Sequence, residues 1–273
     1  AGGVDIIAEI SAQKRPAKEN LRAYEINIKD LQGGHSGVDI DKNIPNAIKI
    51  LAQEIDADKC ELSSICGGER MNSIPKSASA IVYAAKDFVL KNKDLNIQEM
   101  KGSGNIFVHS KNIIAMLQSF NQGMRSFNDE LKIPNASINL STIKTDDEKV
   151  RVEFFARAMD KKALENLRDE TVVFLKSFGF EVKTEGFSAP WKPNITPFAK
   201  KLQKIVQKSF KNVEFKAMHA GLECGIFESI NPSLQTASIG PNIHFPHSLN
   251  ERCEIASVER VQKILEELIW DLE

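Results

Sequence analysis

His35 stands in a setting where an imidazole can do chemistry. It lies in residues 33–37 (GGHSG), between a predicted strand and a predicted helix. The flanking glycines let the backbone turn sharply and approach a ligand closely. An imidazole in such a turn can donate a hydrogen bond to a developing oxyanion. A solvated turn histidine explains the same residues equally well.

A second group of candidate ligands lies in residues 244–253 (HFPHSLNERC). His244 and His247 have a spacing that can bring two imidazoles to one metal ion, and Cys253 adds a soft ligand. A zinc site normally needs three or four protein ligands. The further candidates nearby lie in residues 219–225 (HAGLECG), so this pattern alone is a weak metal motif.

Two other segments carry side chains that suit substrate binding. Residues 67–75 (GGERMNSIP) place the amide of Asn72 on a tight loop, although a solvated hairpin turn would have a similar sequence. Arg157 ends a predicted strand beside two phenylalanines. A guanidinium there can fork onto a carboxylate. A surface ion pair is the alternative for Arg157.

Apolar periodicity predicts the elements that position these residues. The predicted strands are 23–31, 62–66, 78–84, 136–143, 150–158 and 180–184, and the predicted helices are 43–55, 113–124 and 164–178. Together they predict one α+β domain over residues 22–187, built from two β-α-β-β-like units with an antiparallel sheet. Residues 1–21, which Pro16 interrupts, are interpreted as a connector.

The chain changes character after the two prolines of residues 188–194. A helix is predicted at 197–210, strands at 213–217 and 235–239, a glycine-rich elbow at 219–225, and a last helix at 257–272. Helices that alternate with short strands are typical of an α/β layer protein. We therefore expect residues 188–273 to belong to a different domain.

Composition excludes some function classes. The net charge is −1, from 36 basic and 37 acidic residues, which gives no electrostatic reason to expect a nucleic acid or an anionic membrane surface as partner. No apolar stretch approaches the ~20 residues of a membrane span, and no secretion signal is recognised. The four cysteines form no CxxC pair, so we expect a reducing, cytoplasmic location.

Several of these segments occur together in one order. They are residues 33–37 (GGHSG), 67–75 (GGERMNSIP), 138–145 (INLSTIKT) with the Arg157 strand, 219–225 (HAGLECG), and 238–242 (SIGPN) with 247–251 (HSLNE). In this order they resemble the aminoacylhistidine (Xaa-His) dipeptidases, which are co-catalytic zinc peptidases related to carnosinase and carboxypeptidase G. The likeness covers nearly the whole chain.

The resemblance implies a fold and an activity. Residues 22–187 would be a lid domain inserted into an α/β catalytic domain, and residues 188–273 would be the C-terminal part of that catalytic domain. The intact enzyme would use two zinc ions to hydrolyse Xaa-His dipeptides in the cytoplasm. The resemblance is compatible with a homodimer.

The resemblance also implies a role for each candidate residue. His247 aligns with a zinc ligand, and His35 aligns with the histidine that stabilises the tetrahedral oxyanion. The positions that would bind or line the substrate are Asn72, Arg157, His219 and Glu223.

One departure from the family is large, because its other zinc ligands and its general base would precede Ala1. We therefore expect the 273-residue chain to be the C-terminal two-thirds of such an enzyme and to be inactive by itself. The main alternative is a non-catalytic interaction module that kept a dipeptidase-like lid. A third reading is a mononuclear metal-binding protein that uses His244, His247 and Cys253.

Overall fold

Most of the strands belong to one large sheet, and their alternating apolar side chains form its buried face. The structure is a computed structural model, and it describes residues 1–191, 193–244 and 251–271. Within these residues the strands are β1 (Gly2–Ser11), β2 (Lys14–Pro16), β3 (Arg22–Ile28), β4 (Gly34–His35), β5 (Glu61–Gly67), β6 (Ser73–Ile74), β7 (Ala78–Ala84), β8 (Asn96–Met100), β9 (Asn105–Phe107), β10 (Gly123–Asn128), β11 (Ile133–Thr145), β12 (Lys149–Ala158), β13 (Glu181–Ser188), β14 (Ile243–His244) and β15 (Arg252–Cys253). The helices are α1 (Ala47–Glu54), α2 (Ser110–Ser119), α3 (Lys161–Ser177), α4 (Pro197–Ser209), α5 (Glu223–Ile230) and α6 (Ile255–Trp270).

Nine of these strands form a single antiparallel sheet. Its order is β13-β1-β12-β11-β5-β7-β3-β8, and β10 also pairs with β11. The two predicted units join where Ile143 of β11 lies opposite Gly67 of β5. The next residue, Gly68, has a φ of +78°, and a Cβ atom there would lie 2.0 Å from the Ser141 carbonyl oxygen. Only glycine fits this crossing. The predicted antiparallel α+β fold is confirmed.

Helices α1, α2 and α3 pack against this sheet and complete the main core. Asn46 caps α1, because its Oδ1 accepts hydrogen bonds from the Ile48 and Lys49 amides. The Nδ2 of Asn46 donates to the Leu140 carbonyl on β11, which ties the helix start to the sheet. Each fully buried Ile, Leu or Phe in such a core stabilises the fold by roughly 1.5–3 kcal/mol.

The prediction of a connector over residues 1–21 is wrong for β1. This strand pairs with β12 along its whole length and with β13 on its other side. Val4, Ile6, Ala8 and Ile10 point into the core, whereas Asp5 and Glu9 lie on the other face. Alternation of this kind is a strand signal, so the sheet begins about twenty residues earlier than predicted.

The chain after the sheet is mainly helical in the part that the structure describes. Helices α4 and α6 share a small core of Leu202, Ile205, Ile264 and Leu268. The strands predicted at 213–217 and 235–239 do not form. Both segments line a cavity of about 570 Å³ without ladder partners. No helix in the described ranges is long and apolar enough to cross a membrane.

Candidate functional site

Hydrogen bonds within the turn of residues 33–37 fix the orientation of His35. Its Nδ1 accepts from the Gly37 amide at 3.1 Å and from the Val38 amide at 3.2 Å. Because a backbone N–H can only donate, Nδ1 must carry the lone pair, and the neutral ring keeps its proton on Nε2. His35 is therefore set up as a hydrogen-bond donor through Nε2.

Asp39 anchors the same turn. Its Oδ2 accepts from the His35 amide at 2.8 Å, and its Oδ1 accepts from Lys42. Burial alone would raise the pKa of Asp39, but the Lys42 ammonium and the His35 amide lower it below its ordinary value. The carboxylate consequently stays charged and keeps the turn closed at neutral pH.

The loop of residues 67–75 holds the turn from its other side. Strand β4 pairs with β6, and the Asn72 carbonyl accepts from the Ser36 amide at 2.9 Å. Two buried side chains of β11 clasp this loop: Asn139 Nδ2 donates to the Ser73 carbonyl, and Ser141 Oγ donates to the Met71 carbonyl. The site therefore rests on polar residues of β11 to which the sequence analysis assigned no role.

A period-two pattern could have revealed these polar residues. Ser137, Asn139 and Ser141 alternate with apolar residues on β11, and all three are buried. Polar side chains that alternate in a buried strand are informative, because buried polar groups need partners. Here the partners belong to the loop and to the elbow of residues 219–225.

Arg157 is a buried cation on the same face of the sheet. It lies opposite Ser137 of β11 and Gly3 of β1, and its guanidinium stacks 4.2 Å from the centre of the Phe155 ring. The residue is 6% exposed. Burial lowers its pKa to about 10, although Asp5 opposes the shift. Among the described residues it makes no ion pair within 4.0 Å, and its Nε has no hydrogen-bond partner.

Three of the predicted residues, His35, Arg157 and His219, meet around Gly37. A Cβ atom at this position would lie 2.5 Å from the His219 carbonyl oxygen, 3.1 Å from Arg157 Nε and 3.1 Å from His35 Cε1. A side chain at position 37 would therefore push apart the turn, the elbow and the arginine. Although these three residues are far apart in sequence, the fold places them around one glycine.

His219 enters the site as a neutral imidazole. It is 3% exposed, and its Nε2 lies 2.7 Å from Ser137 Oγ in a hydrogen bond. Burial is the main reason that its pKa falls to about 3, followed by the charges of the Ala1 amino group and Arg157; the Pro134 carbonyl opposes them. A neutral ring at this position adds no second positive charge beside Arg157.

The structure does not bring every predicted residue into this cluster. Glu223 is exposed on the first turn of α5, and no described contact joins it to His35 or Arg157. His247 lies outside the described residues. His244 is exposed on β14. Among the residues that the structure describes, no three His, Cys, Asp or Glu side chains form a group that could hold a metal ion.

Comparisons with known proteins find similarity to dipeptidases. No family model matches the chain. The chain is 27% identical over 309 aligned residues to a cytosol non-specific dipeptidase of Escherichia coli K12, with 100% of the chain and 62% of that relative covered. Its fold matches the crystal structure of an aminoacylhistidine dipeptidase from Vibrio alginolyticus with a TM-score of 0.78 and 23% identity. That match covers 96% of this chain and 60% of the Vibrio chain.

The chain thus spans about three-fifths of the length of the relatives that it matches. Over this span it shares the fold of the Vibrio aminoacylhistidine dipeptidase and is similar in sequence to the Escherichia coli dipeptidase. The resemblance to the Xaa-His dipeptidases that the motifs indicated is therefore confirmed.

Proposed function

We propose that this chain is part of a zinc-dependent dipeptidase that hydrolyses Xaa-His dipeptides. The observation that carries the proposal is the buried guanidinium of Arg157, which has no carboxylate partner among the described residues and adjoins the His35 turn. The dipeptidase names of the relatives support the reaction class.

Arg157 would bind the carboxylate of the dipeptide. A buried charge without a partner costs several kcal/mol, and an anion that binds to it offsets much of that cost. The planar guanidinium suits a carboxylate, and stacking on Phe155 fixes its plane. The substrate would be held by its terminal charge, which limits the distance to the bond that is cleaved.

His35 would stabilise the oxyanion that forms on the scissile carbonyl. Its Nε2 carries the proton because two backbone amides occupy Nδ1. A donor that is already oriented needs no rearrangement when negative charge develops. Asn72 would contact the substrate from the neighbouring loop, and His219 and Glu223 would line the site from the elbow.

Zinc is the proposed cofactor, and His247 is proposed as one ligand. The described residues do not fit a zinc ion by themselves, because no suitable group of three ligands converges among them. We propose that the other ligands and the general base come from parts of the enzyme that this chain does not cover. The chain would then be inactive when isolated. We further propose a cytoplasmic location, a homodimeric assembly and no nucleic-acid or membrane partner.

The test is a dipeptidase assay on the complete protein with added zinc. We expect hydrolysis of Xaa-His dipeptides, a much higher KM in Arg157→Ala, and no turnover by the 273-residue chain alone. A complete protein that is folded and zinc-loaded but cleaves no dipeptide would instead favour the non-catalytic interaction module. Turnover by the isolated chain would contradict the proposal that its metal site is incomplete.

A further inference from the structure

Ser137 and His219 form a hydrogen-bonded pair beside the guanidinium of Arg157. Ser137 is the direct cross-strand partner of Arg157. The Cβ atoms of directly opposed residues lie about 4.5–5.5 Å apart on the same face of a sheet. The Ser137 hydroxyl is hydrogen-bonded to His219 Nε2 at 2.7 Å and not to the arginine. The Ser137–His219 pair therefore lies along one side of Arg157.

The other sides of Arg157 are also defined by contacts. Its second cross-strand neighbour is Gly3, and the Phe155 ring occupies the space above that glycine, 2.8 Å from where a Cβ would be. The guanidinium stacks on this ring. Its Nε lies beside Gly37, 3.1 Å from where a Cβ of that residue would be. The Ser137–His219 flank is held by a hydrogen bond between two side chains.

We propose that Ser137 and His219 are positioning residues that hold the elbow against the sheet and so keep the Arg157 guanidinium aimed at the substrate carboxylate. This role rests on the proposed dipeptidase function and adds two residues to it. Neither residue needs to touch the substrate. Their contribution lies in restricting the orientations that a long arginine side chain would otherwise sample.

The chemistry of the pair explains why an imidazole suits position 219. The ring reaches the hydroxyl from the elbow and stays neutral, because burial and the positive charge of Arg157 lower its pKa. A lysine could reach the same hydroxyl, but it would place a second cation beside Arg157. The neutral ring adds no charge to that of Arg157, which suits the single terminal carboxylate of a dipeptide.

The test compares variants that break the pair with variants that keep it, all in the complete zinc-loaded protein. Ser137→Ala removes the hydroxyl, whereas Ser137→Thr keeps it. His219→Asn cannot reach the position of Nε2, whereas the amide nitrogen of His219→Gln can. Ser110→Ala is the matched control, because Ser110 is also a buried serine with a hydrogen bond, but it accepts from Leu62 on β5, away from the site.

We expect Ser137→Ala and His219→Asn to raise the KM for an Xaa-His dipeptide about tenfold and to change kcat by less than about threefold, the size of one lost hydrogen bond. Ser137→Thr and His219→Gln should recover most of that loss. Ser110→Ala should leave KM unchanged even if it lowers stability. In an Arg157→Ala background, Ser137→Ala should raise KM no further. An equal rise in KM for Ser137→Ala and Ser110→Ala, or an undiminished rise without Arg157, would overturn the role.

A second readout separates this role from the proposed function. The Nε–H signal of Arg157 in arginine-labelled protein should shift or exchange faster in Ser137→Ala and not in Ser110→Ala. If the unmodified protein cleaves no dipeptide, the proposed function fails, and this signal alone decides the positioning role. An Arg157 signal that is identical in Ser137→Ala and the unmodified protein would refute it.

Discussion

The sheet region (residues 2–188) and the C-terminal segment (residues 193–271) bury their apolar side chains to very different extents. In the sheet region, three helices cover one face of nine paired strands, and most large apolar residues are fully buried. In the C-terminal segment the common core is four residues. Exposed apolar residues on its helices include Phe227, Ile230, Ile255, Ile269 and Trp270.

The two regions therefore differ in what they contribute. The sheet region supplies most of the core that stabilises the chain, and the C-terminal segment supplies most of the exposed apolar surface on helices. The sheet region has a closed core and paired strands, so we expect it to be stable by itself. The C-terminal segment leaves Ile230 77% exposed and Ile255 78% exposed. Apolar surface on this scale marks a contact surface or a liability to self-associate. The candidate site lies where the elbow of the second region meets the sheet of the first.

The largest expected effect concerns the start of the sheet region. A fragment of residues 1–188 should fold and unfold cooperatively, whereas a fragment of residues 22–188 should not fold. Removing β1 separates β13 from β12 and takes Val4, Ile6 and Ile10 out of the core. At roughly 1.5–3 kcal/mol for each side chain, before any ladder hydrogen bonds, the loss is comparable with a typical total stability of 5–15 kcal/mol.

Thermal unfolding followed by circular dichroism measures both fragments. Limited proteolysis of the intact chain gives an independent check, because the first cuts should fall near residues 188–194 and not within the sheet. A cooperative transition in the 22–188 fragment would restore the original domain boundary at residue 22.

The next effect distinguishes two residues of the sheet region that face the elbow. In the complete protein, His35→Ala should lower kcat by about a hundredfold to a thousandfold, or roughly 3–4 kcal/mol, because an oxyanion donor acts mainly on the transition state. Arg157→Ala should act largely on KM, because a carboxylate contact is present in both ground and transition states. Steady-state kinetics with zinc content measured in each variant makes the comparison. Turnover that survives in His35→Ala, or that is lost only with the zinc, would exclude the oxyanion role.

Local patterns predicted most of the sheet region and much less of the C-terminal segment. Strand β7 has the predicted bounds, and α1, α3, β11 and β12 differ from prediction mainly at their ends. The strands predicted at 213–217 and 235–239 are absent because a strand needs a partner, which a local pattern does not supply. Helix α5 was missed because glycines in the elbow suggested a turn.

The site was predictable residue by residue but not as a cluster. Glycine context and the family resemblance pointed to His35, Arg157 and His219. Their meeting around Gly37, and the pairing of Ser137 with His219, depend on strand register and on the path of the elbow. The sequence alone does not fix such long-range geometry, because each contact joins segments that are far apart in the chain.

A smaller effect tests the contact between the two regions through pH. The pKa of His219 falls from 6.5 to about 3 on folding, mainly through burial. Between these values the unfolded chain binds a proton that the folded chain does not, so this contribution to stability is complete above pH 6.5 and is lost as the pH falls below it. From pH 7 to pH 5.5 the loss should be about 1 kcal/mol.

His219→Gln provides the control, because glutamine does not titrate. Denaturant unfolding at pH 7 and pH 5.5 should show a smaller pH dependence for this variant by that amount. Equal pH dependence in the two proteins would mean that His219 is not buried against Arg157 and Ser137 in solution.

The smallest expected effect on stability is the most direct test of how the two regions differ at their surfaces. Val173 on α3 is 69% exposed in the sheet region, and Ile230 is exposed at the end of α5 in the C-terminal segment. Substitution of either residue by lysine should change the free energy of unfolding by less than about 0.5 kcal/mol, because neither side chain contributes to a core.

The effects of the two substitutions on self-association should differ. Val173 is the one exposed large apolar residue on α3, a helix that packs against the sheet, whereas Ile230 belongs to a group of exposed apolar residues that also includes Ile226 and Phe227. A contiguous apolar surface drives self-association and an isolated residue does not. Light scattering of the 273-residue chain across a concentration series should therefore show a lower average mass for Ile230→Lys and no change for Val173→Lys. Equal masses for the two variants would mean that the exposed apolar residues of the C-terminal segment do not act as one surface.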